Sequence, residues 1–365
     1  MGTSVGIVGL PNVGKSTLFN ALTAAGAESA NYPFCTIDPN IGVVAVPDPR
    51  LHAITEFVPP ERVIPAAVDI VDIAGLVKGA SKGEGLGNKF LANIRETDAV
   101  MMVVRCFEDP NVVHVDGSVD PLRDIEVIEL ELIYADLETT EKRLKKAQSA
   151  AKSGKAEAKA ELAVVEKVLG ALAEGKPART VEVSGPDQEA ALDGMQLLTS
   201  KPVLYCCNVG EEDLPDGNAS VQVVRDKAAS EGAEVVVVCG KIEEELAAVE
   251  GDDMAELLEL YGLSEPALHK LVRGCYRLLG LQSYFTAGEK EVRAWTIRVG
   301  DTAPQAAGVI HTDFERGFIR AQVYHTLDDL RAHKSEAGEG GGQDAERGQG
   351  LRRQDGDIMH FLFNV

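Results

Sequence analysis

A chain of 365 residues with 45% hydrophobic and 26% charged residues has the composition of a globular protein of two or three domains. Its formal net charge of −22 argues against a uniformly basic protein that binds nucleic acid without sequence preference, although it does not exclude a local basic patch. The six cysteines lack disulfide or zinc spacing and no stretch has the apolar length of a membrane span, so we expect a cytoplasmic protein with free thiols and no signal peptide.

The first predicted strand, residues 5–8, leads into the P-loop sequence GLPNVGKST at residues 9–17. Backbone N–H groups of such a loop wrap a nucleoside polyphosphate, and the predicted helix over residues 16–25 directs its N-terminus at the phosphates. Lys15 would reach the β- and γ-phosphates as a catalytic cation, and the Ser16 hydroxyl would bind Mg²⁺. The predicted nucleotide-binding residues of this loop are Asn12, Val13, Gly14, Lys15, Ser16 and Thr17.

Two further elements are typical of a P-loop switch protein. The apolar run at residues 66–73 carries Asp72 in the pattern D-x-x-G, which ends at Gly75. Asp72 is predicted to contact the Mg²⁺ shell through water, and the Gly75 amide to sense the γ-phosphate. Thr36 is the predicted threonine that closes over Mg²⁺; an ordinary loop hydroxyl is the alternative.

The residue after the D-x-x-G pattern predicts slow hydrolysis. Ras-like proteins have a glutamine there that orients the attacking water, whereas this chain has Leu76, which cannot form a hydrogen bond with water. His114, in the loop of residues 107–117, is a candidate for positioning that water. The alternative is a solvated histidine without a catalytic role.

Apolar runs at residues 99–104, 202–207 and 233–239 alternate with helical patterns, which predicts an α/β fold with a mostly parallel sheet. Ligands bind at the carboxyl ends of such strands. Between about residues 124 and 200, leucines and isoleucines at helical spacing among many Glu and Lys residues predict two antiparallel helices, a coiled-coil arm inserted in the nucleotide-binding domain. A solvated hairpin that serves only for packing is the alternative.

The base-recognition loop departs from the guanine-specific pattern N-K-x-D. At that place the chain has Asn208-Val209-Gly210-Glu211, so the lysine and the aspartate are both replaced. Because a buried polar site rejects a ligand that does not match it, we expect weak guanine discrimination. The Val209 backbone could instead serve the adenine 6-amino group. Cys239 and Gly240, followed by Lys241, would supply the second loop at the base.

The C-terminal part has a different pattern. Residues 285–288, 292–297 and 358–363 are predicted strands around turns, which indicates a small β-rich domain at residues 281–365 after a first domain at residues 1–280. Residues 338–350 are glycine-rich and polar, and are predicted to be flexible.

The chain resembles the YchF-type Obg-like ATPases over essentially its whole length. The blocks that carry this resemblance are Gly9–Thr17, Asn31–Ile37, Asp72–Ser81, Gly83–Asn88 and Asp355–Val365. One segment departs from the pattern: residues 336–350 are glycine-rich and acidic where similar proteins have glycine and basic residues. Either this is a local flexible loop or the sequence is altered there.

The resemblance implies a translation-factor-related G domain, a coiled-coil insert and a C-terminal β-grasp-like TGS domain. It also implies Mg²⁺-dependent hydrolysis of ATP to ADP, preferred over GTP, with Leu76 as the family's hydrophobic substitution. The implied partners are the ribosome, expected to be its large subunit, and ribosomal RNA, with a role in translation or the stress response. We expect a monomer that does not bind membranes.

Two alternatives to an ATP-dependent switch follow from the same residues. The first is a GTPase whose altered base loop still accepts guanine. The second is a module that binds the ribosome or RNA. In this module nucleotide controls the binding, and hydrolysis is incidental.

Overall fold

The computed structural model describes residues 3–27, 40–73, 86–115, 117–331 and 354–364. These residues form two compact units. The first contains residues 3–27, 40–42, 69–73, 86–115 and 117–275, and the second contains residues 43–68, 276–331 and 354–364.

Strands and helices are interspersed along the described chain. The strands are β1 (Ser4–Val8), β2 (Ile41–Ala45), β3 (Arg62–Ile64), β4 (Ala67–Asp72), β5 (Ala99–Arg105), β6 (Val203–Asn208), β7 (Glu234–Val238), β8 (Leu281–Ala287), β9 (Glu291–Arg298), β10 (Phe318–Tyr324) and β11 (Ile358–Phe363). The helices are α1 (Lys15–Ala27), α2 (Pro49–Phe57), α3 (Leu86–Glu96), α4 (Pro121–Ala151), α5 (Ala156–Ala173), α6 (Pro186–Asp193), α7 (Ala219–Glu231), α8 (Gly240–Leu246), α9 (Gly251–Leu260), α10 (Ala267–Leu278), α11 (Ala303–Ile310) and α12 (Thr312–Arg316).

A six-stranded sheet with the order β2-β4-β1-β5-β6-β7 confirms the predicted mostly parallel α/β fold. β1 pairs in parallel with β4 and β5, and β5-β6-β7 continue in parallel. Every residue of β5 and β6 is buried, as expected for central strands covered on both faces. Because parallel strands end at the same edge, the loops that follow Val8, Arg105, Asn208 and Val238 lie together there.

The helical insert lies between β5 and β6. α4 begins after Asp120, whose side chain accepts a hydrogen bond from the Arg123 N–H, and Pro121 occupies the first turn of the helix. α4 and α5 are joined by residues 152–155 and pack through a shared apolar core that includes Ile133, Val165 and Val168. The predicted pair of long helices is therefore present as a helical hairpin.

The second unit has a five-stranded sheet with the order β10-β11-β8-β9-β3. The predicted strands at residues 285–288, 292–297 and 358–363 correspond to β8, β9 and β11. Tyr284 is fully buried in the core of this unit, with its ring stacked on Trp295 and edge-on to Phe361. The apolar face of α11 contributes Ala303, Ala306 and Ala307 to the same core.

The two compact units divide the chain differently from the predicted first domain of residues 1–280, because residues 43–68 belong to the second unit. β3 pairs in parallel with β9, from Arg62 opposite Glu291 to Ile64 opposite Arg293. The Arg50 side chain of α2 forms an ion pair with Asp355 at 2.9 Å. These contacts join residues more than 200 positions apart, and no local pattern in the sequence indicates them.

No described helix is both long and apolar enough to cross a membrane. Five of the cysteines lie in the described part of the chain, where they are buried free thiols; Cys35 lies outside it. The glycine-rich segment of residues 338–350 also lies outside the described residues.

Candidate nucleotide-binding site

The P-loop connects β1 to α1 through a turn with two left-handed residues. Asn12 has a φ of 64° and Gly14 a φ of 91°. A Cβ on Gly14 would lie 2.2 Å from Asn208 Nδ2, so both the backbone conformation and the close approach require glycine there. The turn leads into the first residue of α1, Lys15. A loop that ends at a helix N-terminus in this way is suited to bind phosphate.

Asn208 connects the P-loop to the predicted base-recognition loops. Its Nδ2 donates a hydrogen bond to the Val13 carbonyl, and its Oδ1 accepts one from the Gly240 N–H, both at 2.9 Å. The side chain is buried, with 5% of its surface exposed. Asn208 therefore fixes the distance between the phosphate end of the site and the loop after β7.

A cavity of about 540 Å³ opens beside these loops, within the size range of small-molecule sites. Six of the predicted binding residues line it: Asn12, Gly14, Thr17, Asn208, Val209 and Cys239. Val13 and Gly240 are held at its edge through Asn208. The structure thus brings together the P-loop and both base loops, each of which lies more than 190 positions after the P-loop in the sequence.

Lys15 and Asp72 meet directly, with 2.5 Å between Lys15 Nζ and Asp72 Oδ1. The Ser16 side chain, on the first turn of α1, is exposed. The hydroxyl of Ser16 and the carboxylate of Asp72 are hard oxygen donors, the type that Mg²⁺ binds in company with phosphate oxygens and water. The donor set therefore fits the predicted metal. Among the described residues, no cluster of three or more His, Cys, Asp or Glu side chains offers an alternative metal site.

At the base end, Val209 is buried and its N–H donates to the Val238 carbonyl. Because the valine side chain is apolar and the N–H is already bonded, the remaining polar group of Val209 is its carbonyl oxygen, an acceptor suited to an amino donor. Burial raises the pKa of the Cys239 thiol, which stays neutral. Glu211, where guanine-specific proteins have the aspartate, forms an ion pair with Lys241, and this hydrogen bond raises the pKa of Lys241.

Sequence reasoning missed the wall of the cavity formed by the loop after β5. Phe107, Glu108, Asp109 and Val112 line the cavity. The buried Arg105 shapes this loop: its Nε donates to the Phe107 carbonyl at 3.2 Å, and its Nη2 to the Val112 carbonyl at 2.9 Å. The guanidinium also lies 4.5 Å from the centre of the Phe107 ring. An arginine at the end of an otherwise apolar strand was the available signal.

His114 is not among the residues that line the cavity. Its side chain is 4% exposed and its Nε2 lies 2.8 Å from Asp124 Oδ2 on α4. Arg123 contacts the other oxygen of Asp124 at 3.1 Å. The P-loop contacts the residue before His114 and not its imidazole: Asn12 Nδ2 donates a hydrogen bond to the Val113 backbone carbonyl at 3.1 Å. The catalytic role of His114 stays a prediction.

Three residues of the predicted switch regions lie outside the described part of the chain: Thr36, Gly75 and Leu76. Their predicted roles in Mg²⁺ binding, γ-phosphate sensing and slow hydrolysis stay predictions.

Comparisons with known proteins show the family of the chain. Residues 4–165 match the family model described as "50S ribosome-binding GTPase", and residues 281–364 match YchF-GTPase_C, described as a protein of unknown function. A Bacillus subtilis protein named "Ribosome-binding ATPase YchF" is 54% identical over 100% of both chains. The chain belongs to the YchF family. The Escherichia coli O157:H7 protein of the same name is also 54% identical over 100% of both chains.

The fold of this YchF family member is shared with a solved relative. The structure titled "Structure of the Schizosaccharomyces pombe YchF GTPase" superposes with a TM-score of 0.86 at 39% identity, covering 99% of this chain and 98% of that one. The names of these relatives differ in the nucleotide: the two bacterial proteins are called ATPases and the yeast protein a GTPase.

Proposed function

We propose that this YchF family member is a P-loop switch protein that hydrolyses ATP to ADP and phosphate and associates with the ribosome. The observation that carries the proposal is the cavity shared by the P-loop and the loop Asn208–Glu211. It provides a phosphate end and a base end, and the base end lacks the paired lysine and aspartate that select guanine.

Adenine preference has a physical basis in this arrangement. Guanine N1–H and its 2-amino group need a carboxylate acceptor, but the Glu211 carboxylate is already paired with Lys241. The adenine 6-amino group needs only a carbonyl, which the backbone of Val209 offers. A site with that pattern disfavours guanine because the guanine donors would lose water without gaining a partner.

At the phosphate end, the P-loop residues bind and orient the triphosphate, and Lys15 neutralises charge on the β- and γ-phosphates. Ser16 and, through water, Asp72 would hold Mg²⁺, with Thr36 completing its shell. When bound, this ion neutralises the negative charge that develops on the phosphate oxygens. The Gly75 amide senses the γ-phosphate and couples its presence to the following residues.

We propose slow intrinsic turnover because Leu76 cannot orient water, which leaves His114 as the candidate for that role. The names of the bacterial relatives support the ribosome as the partner. We propose that the chain contacts the large subunit and its RNA and acts in translation or the stress response. A cytoplasmic monomer is part of the same proposal.

Calorimetric titration with ATP, a non-hydrolysable ATP analogue and the matching GTP analogue, each with Mg²⁺, tests the nucleotide. We expect ATP to bind about tenfold or more tightly than GTP, the discrimination that a mismatched buried polar group produces. Lys15→Ala is the matched negative control and should bind neither triphosphate tightly. Tighter binding of GTP by an order of magnitude would instead support a GTPase, as the yeast relative's title states for that protein.

Cosedimentation with ribosomes tests the switch. We expect the amount of bound protein to differ between ADP, a non-hydrolysable ATP analogue and no nucleotide. Equal binding in all three states would favour a binding module in which hydrolysis is incidental.

A further inference from the structure

One short segment of this acidic chain is strongly basic. Residues 141–159 contain seven lysines and arginines and two glutamates, a net charge of +5 in a chain whose total is −22. Five of these cations form a group named the tip lysines: Lys145, Lys146, Lys152, Lys155 and Lys159. A concentration of one sign of charge against the background of the whole molecule is the electrostatic footprint of a binding surface.

The tip lysines surround the turn between α4 and α5. Lys152 and Lys155 lie in the turn itself, which includes Gly154 at a φ of 76°. Two more lie in the last two turns of α4, and Lys159 lies in the first turns of α5. All five side chains are exposed. The apolar core of the hairpin ends at Ala147 on α4 and Leu162 on α5, so the tip projects beyond it.

Nothing in the described structure uses these charges for stability. No hydrogen bond or ion pair joins a tip lysine side chain to any residue that the structure describes, whereas Lys142 pairs with Glu138 and Lys176 with Glu174. Lys155 and Lys159 also lie at the N-terminus of α5, where the helix dipole disfavours cations. The residue before α5, Lys155, forms no capping hydrogen bond through its side chain. The lysines at the tip thus add local repulsion without an internal compensation.

We propose that the tip lysines are a docking surface for the phosphate backbone of ribosomal RNA; this rests on the ribosome association proposed above. Lysine ammonium groups on flexible stems suit separate contacts with phosphates. A protein partner is disfavoured because residues 145–159 contain only Lys, Ala, Gln, Ser, Gly and Glu, with no aromatic or large apolar side chain to form the core of a protein interface.

The test compares two variants of the full chain that carry the same net charge. The tip variant changes all five tip lysines to glutamine, which is nearly as good a helix former as lysine. The control variant changes five exposed cations elsewhere to glutamine: Lys167, Lys176, Arg225, Lys270 and Lys290. Both lower the formal charge from −22 to −27. Circular dichroism and basal ATP hydrolysis, which should match the wild type in both variants, verify folding.

Binding to purified ribosomes and to protein-free ribosomal RNA is measured at several salt concentrations. For both probes, we expect the tip variant to bind about tenfold or more weakly than the wild type near 100 mM salt. The slope of the logarithm of the association constant against the logarithm of the salt concentration should become less steep by about 3 to 5. The control variant should stay within about twofold of the wild type, because neutralising scattered charges removes no phosphate contact.

Three results would overturn the inference. Equal ribosome binding by wild type and tip variant would leave the proposed ribosome association intact but remove the tip from it. Loss of ribosome binding in the tip variant, with no binding of the wild type to protein-free RNA, would indicate an acidic ribosomal protein as the partner. A wild type that binds no ribosomes in any nucleotide state would overturn the proposed association and the inference together.

Discussion

Asn208 is the residue whose side chain most directly connects the two ends of the nucleotide site. It bonds the Val13 carbonyl and the Gly240 N–H from a buried position. Asn208→Ala removes both bonds and frees the two loops to move independently. We expect the affinities for ATP and ADP to fall together by about tenfold or more, since each lost buried hydrogen bond costs about 1–3 kcal/mol.

Titration calorimetry with both nucleotides measures this effect. Thr97→Ala is a suitable control because Thr97 is a buried polar residue whose hydroxyl donates to the Ile94 carbonyl and which does not line the cavity. Unchanged ATP affinity in Asn208→Ala would mean that the loops hold their positions without this side chain.

His114 gives a second prediction at the scale of one residue, because its predicted role and its observed contact point to different consequences. If it positions the attacking water, His114→Ala lowers the ATP turnover rate by about 10²-fold, within the range of general-base effects, and leaves the ATP affinity unchanged. The buried contact with Asp124 predicts a loss of stability in the same variant.

Single-turnover hydrolysis and chemical denaturation separate the two effects. Asp124→Asn serves as the matched variant, since it removes the carboxylate partner and keeps the imidazole. An unchanged turnover rate in His114→Ala would remove His114 from the mechanism and leave it a packing role.

Site residues could be predicted from sequence where the chemistry is local. The P-loop residues follow one another, so their spacing alone predicts that they meet one phosphate group. Asn208 and Cys239 could be placed at the same edge of the sheet because each lies at the carboxyl end of an apolar strand. Arg105 could not be assigned its role, since it acts through the backbone carbonyls of Phe107 and Val112, which carry no sequence signal.

Asp136 holds the inserted hairpin against the segment before β6. From α4, its Oδ1 accepts from the Leu198 N–H at 2.9 Å, and its Oδ2 accepts from the Thr199 N–H at 2.8 Å and the Thr199 hydroxyl at 2.7 Å. The side chain is almost fully buried, and burial raises the pKa of its carboxyl group. Asp136→Ala leaves two buried N–H groups without an acceptor, so we expect the free energy of unfolding to fall by about 2–4 kcal/mol.

Urea denaturation followed by circular dichroism measures this loss. Glu138→Ala, two residues along α4, is the matched control; its exposed ion pair with Lys142 should contribute little because water screens it. A midpoint equal to that of the wild type in Asp136→Ala would show that the segment before β6 is held by apolar packing alone.

Strands and helices with strong patterns were predictable as elements, but the assignment of residues 43–68 was not. The runs that form β5 and β6 are apolar up to their last residues, and α4 has apolar residues at helical spacing among many Glu and Lys residues. In contrast, β3 has only three residues, two of them exposed. It pairs with β9, a strand more than 200 residues later. The hydrophobic periodicity and the composition of residues 62–64 contain no information about so distant a partner.

At the scale of the whole molecule, the chain divides into two units that each have an apolar core, and its single tryptophan lies in one of them. Trp295 packs on Tyr284 in the core of the second unit. The nucleotide cavity is lined entirely by residues of the first unit. Tryptophan fluorescence therefore reports on the unfolding of the unit that does not contain the candidate nucleotide site.

This separation gives a prediction about nucleotide and metal. A ligand at 100 times its dissociation constant stabilises the state that binds it by about 2.7 kcal/mol. ATP with Mg²⁺ should raise the midpoint of the first unit's thermal transition, observed by calorimetry, by about 5–11 °C, since a unit of this size shifts by about 2–4 °C for each kcal/mol. The transition observed by tryptophan fluorescence should stay in place, because a core that makes no contact with the ligand gains nothing from binding.

The controls locate the origin of the shift. Chelation of Mg²⁺ with EDTA should reduce the shift, since in the proposed function Ser16 and Asp72 would contact the triphosphate only through the metal, and Lys15→Ala should abolish it. If the fluorescence and calorimetric midpoints rise together with ATP, the two cores unfold as one cooperative unit, and nucleotide in the first unit then changes the stability of the second. Coincident transitions without nucleotide would already contradict independent unfolding.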